Sequence, residues 1–218
     1  MARHLPTDGP LPRTALIKIP RQPRSVEMVH CILNAGMHII ETEGLPAMTT
    51  NRVAERAGVS IGSLYQYFAN RDSILAGIIE RSLLDMTQVM QTAHHAGLDM
   101  PIEDGLRAEL LLMLRYYDPH LPVVRRILRE APLLADNGML DGMERVLVDL
   151  LRDYLLHNAH RYRLRHGLAG VQVAASTLIL MYLRWLVQPF PRMTEAQFVD
   201  ALSSQVIGMV ETIPAPAG

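Results

Sequence analysis

The sequence has one cysteine, few aromatic residues and no apolar leader. Cys31 is the single cysteine among 218 residues, so a disulfide framework is excluded and a reducing compartment fits. The N-terminus lacks an apolar run of signal-peptide type. The longest apolar stretch, about residues 168–183, falls short of the roughly 18 to 20 residues that span a bilayer. We therefore expect a cytoplasmic protein with no membrane partner.

The first 24 residues differ from the rest in charge and in proline content. The whole chain carries a net charge of −1 and is 49% hydrophobic, which is typical of a globular protein. Residues 1–24 instead predict a disordered basic arm that orders on an anionic partner, and an inert solvated tail is the alternative. Its basic residues are Arg3, Arg13, Lys18, Arg21 and Arg24, and its prolines are Pro6, Pro10, Pro12, Pro20 and Pro23.

Apolar residues beyond the arm recur with the period of a helix, which predicts an all-α fold of about nine helices. The first helix runs from Ser25 to a stop at Gly44, and no strand signal competes. Two short helices follow, from the capping residues Thr49 or Thr50 to Gly58 and from Ser60 to Asn70. Six longer helices are predicted at 71–94, 99–118, 121–134, 139–160, 168–187 and 194–210.

The two short helices predict a helix-turn-helix unit. Helices of about eight residues are marginal alone, because nucleation is costly. A short helix, a turn at Gly58 and a second short helix form the motif whose second member enters a DNA major groove. A packing corner of the same shape without DNA is the alternative.

The third helix has an apolar side and a polar side. Its inward residues are predicted to be Ile61, Leu64 and Phe68. The outer side then presents hydroxyl and amide groups, and seryl and phenolic hydroxyls bind phosphate oxygens. Gly62 removes a side chain where a backbone must come close. The predicted outer residues are Ser63, Gln66 and Tyr67, with Tyr65 at the flank.

The segment from Thr49 to Phe68, TTNRVAERAGVSIGSLYQYF, resembles the DNA-binding domain of the tetracycline-repressor (TetR) family of transcriptional regulators. The resemblance covers about residues 25–80. Ala-Gly-Val-Ser at 57–60, Leu-Tyr at 64–65 and Tyr-Phe at 67–68 have the family spacing. The chain departs from the family at Arg71, where lysine is usual, and at Gly36, where alanine is commoner.

The resemblance implies a three-helix DNA-binding domain at 25–70, a helical effector-binding and dimerisation domain at 71–213, and a tail at 214–218. Phosphate contacts are expected from Thr50, Tyr67 and Arg71, whereas Asn51 and Gln66 suit an adenine edge and Ile61 a thymine methyl. The implied DNA-binding residues are Thr49, Thr50, Asn51, Ser60, Ile61, Gly62, Ser63, Tyr65, Gln66, Tyr67 and Arg71.

The C-terminal half has no comparable motif, so its sites are predicted from residue types. A small effector, mostly apolar, is expected in a pocket with Met and Tyr in its walls, and ordinary core is the alternative. The small and bulky residues of helix 168–187 suggest a dimer interface, with burial inside one subunit as the alternative. The pocket residues are Met113, Tyr116, Tyr117 and His120, and the dimerisation residues are Ala174, Leu178 and Trp185.

We therefore expect a homodimeric DNA-binding regulator that recognises a palindromic operator, most simply a repressor that its effector releases from DNA. An activator and a ligand-independent regulator remain alternatives. A helical enzyme that uses the histidines of 94–95 and 157–166 is a third. We expect no enzyme activity, no cofactor and no metal, because His157 and His160 have no third ligand on that stretch.

Overall fold

The computed structural model describes residues 11–116, 121–130, 139–164, 166–208 and 210–212. Apart from two three-residue strands, the regular structure in this part of the chain is helical, in agreement with the predicted all-α class. Its helices are α1 (Pro23–Glu43), α2 (Thr50–Ala57), α3 (Ile61–Tyr65), α4 (Arg71–Gly97), α5 (Ile102–Tyr116), α6 (Leu121–Glu130), α7 (Met139–His157), α8 (Gly167–Val187) and α9 (Glu195–Ile207).

Two short strands add to the helices, although the sequence shows no strand signal. β1 (Tyr162–Leu164) and β2 (Val210–Thr212) pair antiparallel, with Tyr162 opposite Thr212. Three residues are too few for a period of two to be recognised in the sequence. The predicted absence of strands is therefore wrong at this one small ladder.

The described helices fall into two compact units. The first contains α1, α2, α3, α4 up to Met86, and α6, whereas the second contains α4 from Thr87, α5, α7, α8, α9 and the strands. This grouping divides α4 and places α6 with the N-terminal helices. It differs from the predicted segments 25–70 and 71–213, and those domain boundaries stay a prediction.

The first unit is built around α1 and the start of α4. The apolar stripe of α1 is fully buried at Ile32, Leu33 and Ile40. Gly36 allows α1 to approach α4, because a Cβ there would lie 3.1 Å from Cδ1 of Ile78. An alanine would crowd that contact, which accounts for the glycine at this position.

Residues 13–17 contradict the prediction of a disordered arm over residues 1–24, because several of them make defined contacts. The carboxylate of Glu80 accepts hydrogen bonds from the backbone N–H groups of Arg13, Thr14 and Ala15 at 2.8–3.2 Å. Leu16 belongs to the core of the first unit. The contacts need Glu80, which is 65 to 67 residues away, so local composition could not indicate them.

The second unit buries one face of α8. Trp185 stacks on Phe198 of α9, with 4.4 Å between ring centroids. The hydroxyl of Tyr182 donates to the carbonyl oxygen of Met113 in α5 at 3.2 Å. By length and composition α8 could also cross a membrane, and half of its most apolar stretch is buried in the protein.

Candidate functional site

The turn between α2 and α3 depends on one glycine and two capping hydroxyls. Gly58 ends α2 with a φ of 67°, in the left-handed region that favours glycine. The hydroxyl oxygens of Thr49 and Ser60 accept the backbone N–H groups of Arg52 and Ser63 at the starts of α2 and α3. The predicted helix-turn-helix is thus present, with α3 only five residues long.

The outer side of α3 differs from the predicted one at both ends. Ile61 was predicted to point inward, but 39% of it is exposed, because it lies in the first turn beyond the core contacts of Leu64. Tyr67 was predicted to face outward, but only 7% of it is exposed. The helix ends at Tyr65, and the chain then turns, which carries Tyr67 toward the core.

Tyr65 and Thr50 bring two hydroxyl groups together on the surface. Tyr65 is 46% exposed, and its phenolic oxygen lies 3.1 Å from Oγ1 of Thr50, the first residue of α2. The two short helices therefore share one exposed polar point. Asn51 and Gln66 are also exposed, so their amides are accessible to a partner.

Gly62 has free space around it. A Cβ at this position would meet no atom closer than the Ser60 hydroxyl at 3.9 Å. The packing of the chain itself therefore does not require glycine here. A requirement for glycine at this position would have to come from something that approaches α3 from outside.

Arg71 has a structural role that the sequence did not indicate. Its Nε donates to the carbonyl oxygen of Met48 at 2.8 Å, and its Nη2 donates to that of Leu45 at 2.7 Å. These carbonyls lie just before α2. The guanidinium therefore ties the start of α4 to the segment that supports α2, whereas we had expected it to bind phosphate.

The second unit contains a mostly apolar cavity between α4, α5, α7 and α8. Its cavity volume is about 40 Å³. Met113 is the predicted effector residue that lines it. Tyr117 and His120 lie outside the described residues, as does the side chain of Tyr116. The other wall residues are Met90, His94, Gly97, Ile102, Gly105, Leu106, Glu109, Leu110, Leu147, Leu150, Leu151, Tyr154 and Leu178.

His94 and Glu109 form the charged part of this cavity. His94 is 4% exposed, with Nδ1 at 3.1 Å from Oε1 of Glu109 and Nε2 at 3.3 Å from Oδ2 of Asp153. The hydrogen bond with Glu109 raises the pKa of His94 more than burial lowers it. From the sequence, His94 was considered only for an enzyme site and Glu109 was not considered, although a glutamate directly before the apolar run Leu110 to Leu114 was a usable signal.

The predicted dimerisation residues are buried inside the second unit. Ala174, Leu178 and Trp185 all lie on the inner face of α8, and Leu178 lines the cavity. This burial favours the alternative, in which these residues pack inside one subunit, and their role in a subunit interface stays a prediction. The prediction depended on residue size and did not consider which side of the helix each residue occupies. The exposed apolar residues of α8 are Leu168, Val173 and Leu180.

The histidines considered for an enzyme or a metal have different surroundings in the structure. His157 contacts Asp99, with Nε2 and Oδ1 2.9 Å apart, and both side chains are exposed. His160 is exposed as well. Across the described residues, no three His, Cys, Asp or Glu side chains are grouped so that they could hold a metal ion.

Comparisons with known proteins agree with this arrangement. Residues 32–78 match the family described as bacterial regulatory proteins, tetR family. The nucleoid occlusion factor SlmA of Haemophilus ducreyi is 27% identical over 172 residues, which are 72% of this chain and 81% of that protein.

Two solved structures share the fold. The TetR family repressor AlkX from Dietzia, implicated in biodegradation of n-alkanes, has a TM-score of 0.61 at 18% identity over 83% of this chain and 98% of its own. Thermus thermophilus FadR, a TetR family transcriptional repressor in complex with lauroyl-CoA, has a TM-score of 0.58 at 22% identity over 87% and 100%. Residues 32–78 therefore match the tetR family of bacterial regulatory proteins, and the chain shares its fold with TetR family repressors.

Proposed function

We propose that this chain is a homodimeric, cytoplasmic repressor that binds a palindromic operator through α3 and leaves it when a small, mostly apolar effector enters the cavity. The observation that carries the proposal is the surface of α2 and α3. Ile61, Tyr65 and Gln66 are exposed there, while Leu64 and Phe68 hold the motif to its core. A five-residue helix held in this way, with its polar groups outward, fits a DNA groove.

The roles in DNA binding follow from side-chain chemistry. The hydroxyls of Thr50 and Tyr65, 3.1 Å apart, suit neighbouring phosphate oxygens. The amides of Asn51 and Gln66 have the donor and acceptor geometry for an adenine edge, and Ile61 suits a thymine methyl. The open space at Gly62 allows α3 to lie close to the bases.

Four of the five remaining residues of the predicted DNA-binding set act through the backbone or the local fold. Thr49 and Ser60 cap α2 and α3, and Ser63 is hydrogen-bonded to Ser60 at 2.8 Å between hydroxyl oxygens. Arg71 supports the segment before α2. We assign these four residues to positioning rather than to base recognition.

A second copy of the chain is needed to read a palindrome, because each copy provides one α3. The exposed apolar residues Val173 and Leu180 lie two turns apart on one side of α8, with the partly exposed Thr177 between them. Burial of this face between two copies would remove it from water. We therefore move the proposed interface from the inner residues of α8 to this outer stripe.

Effector binding and DNA binding can be coupled through α4. The helix begins at Arg71, which supports the segment before α2, and it ends at Gly97 in the cavity wall. A ligand that prefers one position of the end of α4, while DNA prefers another, lowers DNA affinity. AlkX and FadR are both repressors, which favours repression over activation here.

An in vitro transcription assay tests repression. The template carries the operator at a promoter, and a template with a scrambled operator is the control. The proposal predicts less transcript with the protein present, and recovery when an effector binds the cavity. A rise in transcript on adding the protein would identify an activator, and a repression that no cavity ligand relieves would identify a ligand-independent regulator.

We propose that the chain has no enzyme activity. The His157–Asp99 pair is exposed, and both nitrogens of His94 are already held by carboxylates. Neither histidine, within the described residues, faces a nucleophile that it could activate.

A second candidate function is suggested by SlmA, a nucleoid occlusion factor whose similarity extends over 72% of this chain. By analogy, this chain would act on the nucleoid as a whole rather than at a few promoters. Chromatin immunoprecipitation distinguishes the two functions: a few sites at promoters support the repressor, and many sites distributed over the chromosome support nucleoid occlusion.

A further inference from the structure

The hydrogen-bond donors in the cavity wall are already bonded to other groups of the protein. Glu109 and Asp153 each accept from one ring nitrogen of His94. Carboxylates only accept, so both ring nitrogens of His94 must donate, and only the imidazolium can do so. The ring therefore has no N–H left for a ligand.

The hydroxyl group of Tyr154 likewise already donates its hydrogen bond within the protein. The hydroxyl donates to the carbonyl oxygen of Met100 at 2.7 Å. Burial raises the pKa of Tyr154, so the phenol stays neutral at physiological pH. The backbone N–H of Gly105 is held by the carbonyl oxygen of Pro101 at 3.0 Å. In the part of the wall that the structure describes, none of these groups therefore has a hydrogen-bond donor available for an anionic ligand.

Glu109 is the polar group that remains open to a ligand. Its Oε1 is paired with His94, whereas its Oε2 accepts no hydrogen bond from the described residues. The surrounding walls are leucine, isoleucine and methionine. His94 together with Glu109 and Asp153 carries one positive and two negative charges, so the cluster has an excess negative charge. An acceptor with this charge inside apolar walls favours a cationic donor.

We propose that the effector is an apolar organic cation with at least one N–H, such as a protonated alkylamine, whose nitrogen donates to Oε2 of Glu109 while its apolar part lies against the leucines. This inference rests on the proposed function, since it names the ligand class of the same cavity. His94 keeps its bond to Oε1. It acts as a positioning residue that orients the carboxylate.

Titration calorimetry with four compounds of equal chain length tests the ligand class. Octylamine offers a charge and N–H donors, octyltrimethylammonium a charge without a donor, octanol a neutral donor, and octanoate a negative charge. We expect octylamine to bind about tenfold more tightly than each of the others, as for a hydrogen bond to a charged group. If octanoate, octanol or octyltrimethylammonium binds as tightly as octylamine, the proposal is overturned.

Two variants locate the interaction. Glu109→Gln keeps the shape of the side chain but removes its charge, and it should reduce octylamine affinity about tenfold while octanol affinity stays the same. Glu103→Gln, on the exposed first turn of α5, is the matched control and should change neither. An unchanged octylamine affinity in folded Glu109→Gln would overturn the proposal, and the four-compound comparison on the unmodified protein decides it if that variant does not fold.

A third variant separates the ligand class from the existence of the site. A Cβ at Gly105 would meet its nearest atom, the carbonyl oxygen of Gly97, at an ordinary 3.8 Å, so Gly105→Leu should fold with its side chain in the cavity. It should abolish binding of every octyl compound. Suppose that the unmodified protein binds octanol as tightly as octylamine and that this variant abolishes the binding. The cavity of the proposed function is then retained, and the cationic ligand is rejected. No binding of any compound rejects both.

Discussion

The backbone N–H of Ile17 donates to the carbonyl oxygen of Tyr67 at 2.9 Å. Tyr67 lies two residues beyond the end of α3, so this bond attaches the N-terminal segment to the turn that follows α3. Glu80 holds the same segment through Arg13, Thr14 and Ala15. Segment 13–17 is therefore part of the support of the proposed DNA-binding surface.

Substitution of Glu80 by glutamine should loosen segment 13–17. A neutral amide accepts from the three N–H groups and from the Thr14 hydroxyl less strongly than a carboxylate does, and we expect a loss of about 1–3 kcal/mol in unfolding free energy. Trypsin should then cleave faster after Arg13 and Lys18. Glu27→Gln, an exposed change on α1, is the control, and equal cleavage rates in the two variants would contradict the role of Glu80.

Replacement of Arg71 by lysine distinguishes a supporting role from a phosphate contact. An ammonium cannot reproduce the two-pronged donation to Met48 and Leu45, so we expect unfolding free energy to fall by about 1–3 kcal/mol. The slope of DNA affinity against salt should stay nearly constant, because the charge is kept. A stability equal to that of the unmodified protein, measured by urea unfolding, would show that these bonds contribute little.

The two tyrosines near the end of α3 should respond differently to loss of their hydroxyls. Tyr65→Phe removes an exposed hydroxyl that is placed for phosphate, and it should weaken binding to all DNA sequences alike by about 1–2 kcal/mol. Tyr67→Phe alters a buried ring and should change DNA affinity less. Fluorescence anisotropy with one labelled duplex compares them, and a larger loss for Tyr67→Phe would reverse the assignment.

His94 should make stability depend on pH in a defined direction. Glu109 from α5, Asp153 from α7 and the neighbouring His95 ring, 6.1 Å away between centroids, are the titratable groups that face it. Its pKa in the folded state is raised above the ordinary 6.5, so its stabilising contribution is complete below 6.5 and is lost as pH rises through the folded value.

Urea unfolding of the unmodified protein and of His94→Gln measures this contribution. The difference in unfolding free energy between them should be larger at about pH 6 than at about pH 9. His95→Gln, one residue along α4 and exposed, is the matched control and should show a smaller dependence. A difference that grows with pH would mean that the neutral imidazole is the form that the fold favours.

The helices and the turn at Gly58 could be predicted from the sequence, because they depend on local periodicity, capping hydroxyls and glycine. The direction of single side chains was predicted less well. Ile61 and Tyr67 were assigned to the wrong sides, because the sequence does not indicate that α3 ends at Tyr65. The buried Arg81 of α4, bonded to Asn34 at 2.7 Å, depends on a contact 47 residues away.

The cavity was only partly predictable for the same reason. Its wall combines residues from four helices, and the sequence identified Met113 but not His94 or Glu109. A periodic pattern indicates that a residue faces inward, but not which inward residues leave a space between them. The inner face of α8 illustrates this limit, since Leu178 contributes to the cavity although it was assigned to a dimer interface.

Selection of random DNA duplexes on the purified protein tests most directly whether α3 reads an operator. We predict a palindromic motif with two half-sites. Its preference should loosen at one position in each half-site with Gln66→Ala, whereas Tyr65→Phe should lower affinity and leave the motif unchanged. An unenriched pool at low salt from protein that is folded and dimeric would contradict sequence-specific recognition of DNA by this surface.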